Sequence, residues 1–171
     1  VKWTALGTTL LTFVLSLGLY FGFDPAAGAS AAPQMADLTS RWIPGVDIKY
    51  HVGVDGLNVL LIMLTTLISP LVILSSWTYI GERIRGYYVL MLILETGVLG
   101  VFAAFDVFLF YIFFELTLIP MYFIIGVWGG KNRIYAAVKF VIYTLAGSLL
   151  MLVAILYLGY AAGDAVNNGV F

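Results

Sequence analysis

The chain of 171 residues is 63% hydrophobic and 10% charged, with a mean hydropathy of +1.06 and a formal net charge of −1. Soluble domains usually carry about 25% charged residues, so the composition marks a membrane protein, and the charge balance excludes an electrostatic footprint for nucleic acid. With no cysteine and one histidine, His51, disulfides, protein-ligated iron–sulfur clusters and a bis-histidine haem held by this chain alone are excluded.

Apolar runs long enough to cross a bilayer predict five spans. The first covers about residues 3–23 and lacks the short apolar core and cleavage site of a removable leader, of which Ala29-Ser30-Ala31 is a weak imitation. Residues 24–53, rich in Ala, Pro and Gly, are expected as an extramembrane loop, with His51 as a surface residue in it. The second span is expected over residues 57–79, capped by Asp55 and interrupted by Pro70, and the third over 87–105. The fourth is expected over 106–128, starting at Asp106 as N-cap, and the fifth over 134–160. Thr65, Thr66, Ser69, Ser75 and Ser76 are expected to hydrogen-bond between helices. Short connections predict antiparallel neighbours. The expected fold class is therefore an all-α polytopic membrane protein, an antiparallel transmembrane helix bundle forming a single membrane domain.

Lys2, Arg83, Arg85, Lys131 and Arg133 fall on one side of such a bundle, and Arg41 and Lys49 fall on the other with Asp24, Asp37 and Asp47. The bias of lysine and arginine towards the cytoplasm places the N-terminus there. Trp3, Trp42, Trp77 and Trp128 sit near span ends, as interfacial anchors do.

Three ionisable residues lie within spans: Glu95, Glu115 and Lys139. Glu115 interrupts the apolar run from Phe105 to Phe123. A charge at that depth costs about 2.5–3.5 kcal/mol on insertion scales, so the expectation is a proton or ion carrier. Glu95 and Glu115 each stand ten residues from Phe105, which puts both ~15 Å from the intervening turn. That predicts two acids in one membrane layer, where they cannot both ionise cheaply. Glu95 is a candidate second acid or, alternatively, a structural acid hydrogen-bonded between helices. Tyr111 and Tyr122 share the face of Glu115, and Pro120 leaves the carbonyl of Leu116 without its helical donor. Tyr135, Lys139, Tyr143 and Gly147 form a stripe on one face of the fifth span. Lys139 either reaches out to the interface or forms a relay step between the cytoplasm and Glu115.

The segment Phe114-Glu115-Leu116-Thr117-Leu118-Ile119-Pro120-Met121-Tyr122-Phe123, followed by Gly126-Val127-Trp128-Gly129-Gly130, resembles the fifth-helix motif of the antiporter-like membrane subunits of respiratory complex I. Tyr135-Ala136-Ala137-Val138-Lys139-Phe140 with Tyr143-Thr144-Leu145-Ala146-Gly147-Ser148 is similar to the next helix, and Val54-Asp55-Gly56-Leu57-Asn58 resembles the start of the third. Within the family the resemblance is greatest to the chain 4, or subunit M, type of NADH–quinone oxidoreductase.

The resemblance implies a piece of a larger, roughly fourteen-helix antiporter-like fold, in which half a bundle would expose Glu115 to lipid. It therefore implies that these residues belong to a longer protein. The family's central glutamate maps onto Glu115, and its partner lysine lies on a later helix beyond Phe171. Lys139 matches a different lysine, in the sixth helix, and Glu95 matches a position acidic in only some members. The implied function is proton translocation in the membrane arm of NADH:quinone oxidoreductase, coupled to electron transfer in other subunits. This chain would hold no cofactor, with NADH, FMN, iron–sulfur clusters and quinone in partner subunits. Its partners would be other membrane-arm subunits, the lipid bilayer and protons. The location implied is the bacterial plasma membrane, or alternatively the mitochondrial inner membrane. Rival readings are a subunit of a multi-subunit Na+/H+ antiporter built on the same helices, and a non-pumping scaffold whose buried acids only lock helices together.

Overall fold

A computed structural model describes residues 1–23, 35–43 and 48–167. Asp24, Ala29-Ser30-Ala31 and Asp47 lie outside the described residues, as does Phe171. Five helices form: α1 Lys2–Gly22, α2 Asn58–Ser75, α3 Ile84–Ala103, α4 Val107–Trp128 and α5 Arg133–Asn167. Each is long and apolar enough to cross a membrane, over Arg133–Ala161 in the case of α5. The reason is elementary. A bilayer core offers backbone N–H and C=O groups no water, so an apolar run must satisfy them within itself, as a helix does.

The helix ends follow local chemistry. Asp106 caps α4, its carboxylate accepting from the N–H groups of Phe108 (2.9 Å) and Leu109 (3.1 Å). Asp55 does the same for α2, accepting from Leu57 (2.9 Å) and Asn58 (2.7 Å), while its own N–H donates to Asn58 Oδ1 (2.7 Å). α2 ends four residues before the expected Tyr79. There the Trp77 N–H bonds to Leu74 O at 3.2 Å, tightening the last turn so that the chain leaves the helix. α3 starts at Ile84, earlier than expected, after Arg83 in a left-handed conformation (φ 50°).

Consecutive helices pack against one another, and α1 also touches α3. Ser16 Oγ and Thr66 Oγ1 lie 2.7 Å apart, joining α1 to α2 in a buried contact. Ser76 Oγ, which donates to Ile73 O (2.9 Å), also lies 3.4 Å from Tyr88 Oη on α3. Thr65, expected to bond between helices, instead donates to its own helix at Leu61 O (2.8 Å), while Ser69 reaches both Thr65 O (2.9 Å) and, on α3, the Glu95 carboxyl. A hydroxyl one turn from a backbone carbonyl finds that acceptor without needing a neighbour.

Two apolar clusters close the ends of the α1–α3 group. One gathers Ala5, Leu6, Ile73, Ile80, Tyr87 and Tyr88, flanked by Trp77 and Trp128. Here the Lys2 ammonium donates to Trp77 O (2.6 Å), and the Trp128 indole donates to Glu82 O (2.8 Å). The other cluster joins Val54, Val59 and Ile62 to Leu19, Leu99 and Phe102.

The expected loop at residues 24–53 contains a β-hairpin. Strands β1 Met35–Ile43 and β2 Ile48–Val54 pair antiparallel, with Leu38 opposite Val52 and Ser40 opposite Tyr50. Backbone pairing fastens β2 to the α3–α4 turn, where Val52 bridges Ala104 and the Phe105 N–H donates to His51 O (2.9 Å). The Asn58 amide donates to Gly53 O and Phe102 O, each at 3.1 Å. His51, expected as a surface residue, is partly exposed. Its ring packs 5.3 Å from that of Phe105.

Candidate proton-carrying site

α3 and α4 meet at glycines. A Cβ on Gly97 would come within 2.9 Å of Thr117 Cγ2, and a Cβ on Gly100 would enter the ring of Phe113. These contacts set the register of the hairpin. Gly97 lies against Thr117 and Gly100 against Phe113, so the level of Glu95 on α4 falls near Ile119. Glu95 and Glu115 therefore differ in depth by about one helical turn, ~6 Å at 1.5 Å per residue. They also face different ways. Glu95 lines a cavity with α1 and α2 residues, whereas Glu115 lines one between α4 and α5, and the two cavities share no lining residue. The expected pair of acids in one layer is not formed, because equal distance from a turn fixes neither helix rotation nor the interhelical register.

Glu115 sits half-buried in a cavity of about 480 Å³ with Ile112, Leu116, Ile119, Tyr122, Val141 and Leu145. Its Oε1 is buried and, among the described residues, has no hydrogen-bond partner. The Tyr111 hydroxyl lies within hydrogen-bonding reach of both the Glu115 carboxyl and the buried Ser148 hydroxyl of α5. Tyr122, as the helical spacing predicts, lines the same cavity. Ser148 is a residue the sequence reading quoted in a motif but assigned no role. Its position on the α4-facing side of α5, seven residues after Val141, was the available signal. Pro120 is buried within α4 one turn beyond Glu115.

Lys139 stands elsewhere. It is exposed, its ammonium 5.6 Å from the ring centroid of Tyr135. Tyr135 and Tyr143 are also exposed, and nothing approaches Gly147. The stripe Tyr135, Lys139, Tyr143 and Gly147 thus occupies a side of α5 away from α4, while Ala137, Val141, Leu145 and Ser148 face it or the Glu115 cavity. Within these residues the fold does not bring Lys139 to Glu115. No group of His, Asp or Glu side chains suited to a metal occurs among the described residues.

A carboxyl atom buried without a partner in an apolar helix hairpin can exchange a proton but is poorly placed to hold a helix together. Five apolar helices with this arrangement define a multi-pass membrane subunit of the antiporter-like class. Residues 38–100 match the family described as NADH-ubiquinone oxidoreductase chain 4, amino terminus, and residues 104–168 match the family described as NADH:quinone oxidoreductase/Mrp antiporter, TM. The chain belongs to the antiporter-like subunits of complex I, of the chain 4 or subunit M kind. It is 50% identical over 163 residues to NADH-quinone oxidoreductase subunit M of Rhodobacter capsulatus, covering 95% of this chain and 30% of that protein. Respiratory complex I from Thermus thermophilus with bound NADH contains a similar chain, with a TM-score of 0.74 and 30% identity over 91% of this chain and 31% of that one. The Mrp complex from Dietzia sp. DQ12-45-1b contains another, with a TM-score of 0.74 and 25% identity over 98% of this chain and 17% of that one. The chain thus spans about 30% of the length of the curated relatives it matches.

Proposed function

We propose that this chain acts in a proton-translocating membrane-arm subunit of NADH:quinone oxidoreductase, with Glu115 as the group that takes up and releases the proton. The observation that carries the reading is the buried, unpartnered Glu115 Oε1 in the cavity between α4 and α5. Tyr111 and Ser148 give the carboxyl a hydroxyl path from α4 to α5. Pro120 supplies no amide to the carbonyl of Leu116, which is thereby free to accept a hydrogen bond beside Glu115. Electron transfer, with its nicotinamide, flavin, iron–sulfur and quinone chemistry, belongs to partner subunits, and the energy it releases drives proton movement here. Lys139 serves as a relay only by meeting groups beyond those described, since it faces away from Glu115. The basic end carrying Lys2, Arg83, Arg85, Lys131 and Arg133 is the cytoplasmic side of a bacterial plasma membrane.

The test is Glu115→Gln in the full-length protein within its assembly. NADH-driven proton pumping should fall on the order of a hundredfold, the scale of a positioned proton-transfer group, and Glu115→Asp should keep part of it. Near-normal pumping with normal assembly would establish the scaffold reading instead. A Na+/H+ antiporter subunit is the second reading, favoured by the likeness to the Mrp complex. The identity of that chain, 25% against 30% for the complex I chain at the same TM-score of 0.74, is the lower of the two.

A further inference from the structure

The cavity on the other side of α3 is not explained by Glu115. It is a half-open pocket of about 270 Å³ between α1, α2 and α3, and among the described residues the oxygen-bearing side chains on its wall are Thr9, Thr65, Ser69 and Glu95. Glu95 is 8% exposed, and its Oε1 has no hydrogen-bond partner among the described residues. Thr9 and Thr65 have committed their protons within their helices, to Leu6 O (3.1 Å) and Leu61 O (2.8 Å), while Ser69 lies within hydrogen-bonding reach of both Thr65 O (2.9 Å) and the Glu95 carboxyl. A hydroxyl has one proton and two lone pairs. Apart from the contact of Ser69 with Glu95 the wall therefore presents acceptors to the cavity, and whatever occupies it must donate. The volume accommodates several waters at roughly 30 Å³ each. A bare metal cation fits less well, because hard cations take about six or more oxygen ligands, and Ile68, Val72, Ile73, Met91, Leu94 and Val98 make up the rest of this wall.

We propose that this chamber is a second proton-binding site, in which Glu95 gains and loses a proton through water held against Thr9, Thr65 and Ser69. An O–H bond forms at Glu95 as one breaks in a hydronium among those waters, and release is the reverse. Among the described residues, Glu95 is the only ionisable one on the chamber wall. Across α3, α4 presents Thr117 beside Gly97, and Glu115 opens into its own cavity. The assignment does not depend on the role given to Glu115.

The test is infrared difference spectroscopy after a pH jump, on the assembly containing the full-length protein in native membranes. A carboxylic-acid C=O band is expected, shifted in D2O, lost in Glu95→Gln and retained in Glu115→Gln. Thr65→Val and Thr9→Val should move the same band, since each deletes an acceptor from the water cluster without removing the direct contact of Ser69 with Glu95. The proposal is overturned by a band set in Glu95→Gln equal to that of the unaltered protein. It is equally overturned by a Glu95 band that does not exchange in D2O, which would mark a dry structural acid. Added NaCl displacing the band at constant pH, against a choline chloride control, would show a cation site instead. Should Glu95→Gln fail to assemble, an unmoved band in both Thr65→Val and Thr9→Val rejects the water cluster.

Discussion

Asp106 shows how much a single side chain can settle. Its carboxylate holds two otherwise unpaired amides at the start of α4, the helix that carries Glu115. Asp106→Ala should lower stability by about 1 kcal/mol, with Asp106→Asn retaining most of it, as measured by thermal unfolding of the purified assembly. Thr66→Val removes the hydroxyl facing Ser16, but Ser16 keeps its bond to Phe13 O at 2.7 Å. A loss near 0.6 kcal/mol is expected in the same measurement, the scale of interhelical hydrogen bonds in membranes. Glu115, Glu95 and Lys139 were all visible in the sequence, because a charge within a long apolar run announces itself. Their mutual relation was not. Counting residues from a turn gave Glu95 and Glu115 a common depth, whereas the glycine contacts of α3 shift the hairpin by a turn and helix rotation sends the two carboxyls to separate cavities.

The elements divide by how strongly their pattern speaks. Each helix is a long apolar run, and such runs have little choice in a bilayer. The hairpin was missed because the Ala, Pro and Gly content of residues 24–53 reads as loop. Yet Ile48, Tyr50, Val52 and Val54 alternate with Lys49, His51 and Gly53, a period of two that follows Pro44-Gly45. The α3–α4 contact yields the sharpest prediction at this scale. A methyl group on Gly100 meets the Phe113 ring, which must leave its place. Gly100→Ala should therefore destabilise by about 1–3 kcal/mol, and Gly100→Ala combined with Phe113→Leu should recover part of the loss in thermal unfolding. A single mutant as stable as the parent would mean that the two helices do not approach in this register.

At the scale of the whole molecule Lys2, Arg83, Arg85, Lys131 and Arg133 gather at one end, where Lys2 and Trp128 also tie helix ends together, and Arg41 and Lys49 lie in the β-hairpin at the other. The 171 residues contain no cysteine, which allows a direct test of orientation. In the full-length protein freed of other cysteines, Lys131→Cys should react with a membrane-impermeant thiol reagent from the cytoplasmic side. Leu57→Cys, exposed at the hairpin end, should react from the other side. Reaction of both from one side would break the five-span topology. α5 is the least covered helix, and its Tyr135, Lys139 and Tyr143 side is open. The relatives are about three times as long as this chain, so the open side is where further helices of such a protein have room to pack.

By itself the sequence determined that the chain crosses the membrane in apolar helices, which end is basic and which residues place an ionisable group within an apolar span. Each of these follows from the free energy of placing a group in or out of hydrocarbon, a property local to the residue and its immediate run. Only the tertiary structure decided which way each charged side chain points, that Glu95 and Glu115 occupy separate chambers, and that a β-hairpin is stitched to the α3–α4 turn. Those outcomes depend on close approach at glycines and on backbone pairing between distant segments. Such contacts join residues far apart in the chain and leave little trace in any one stretch of it.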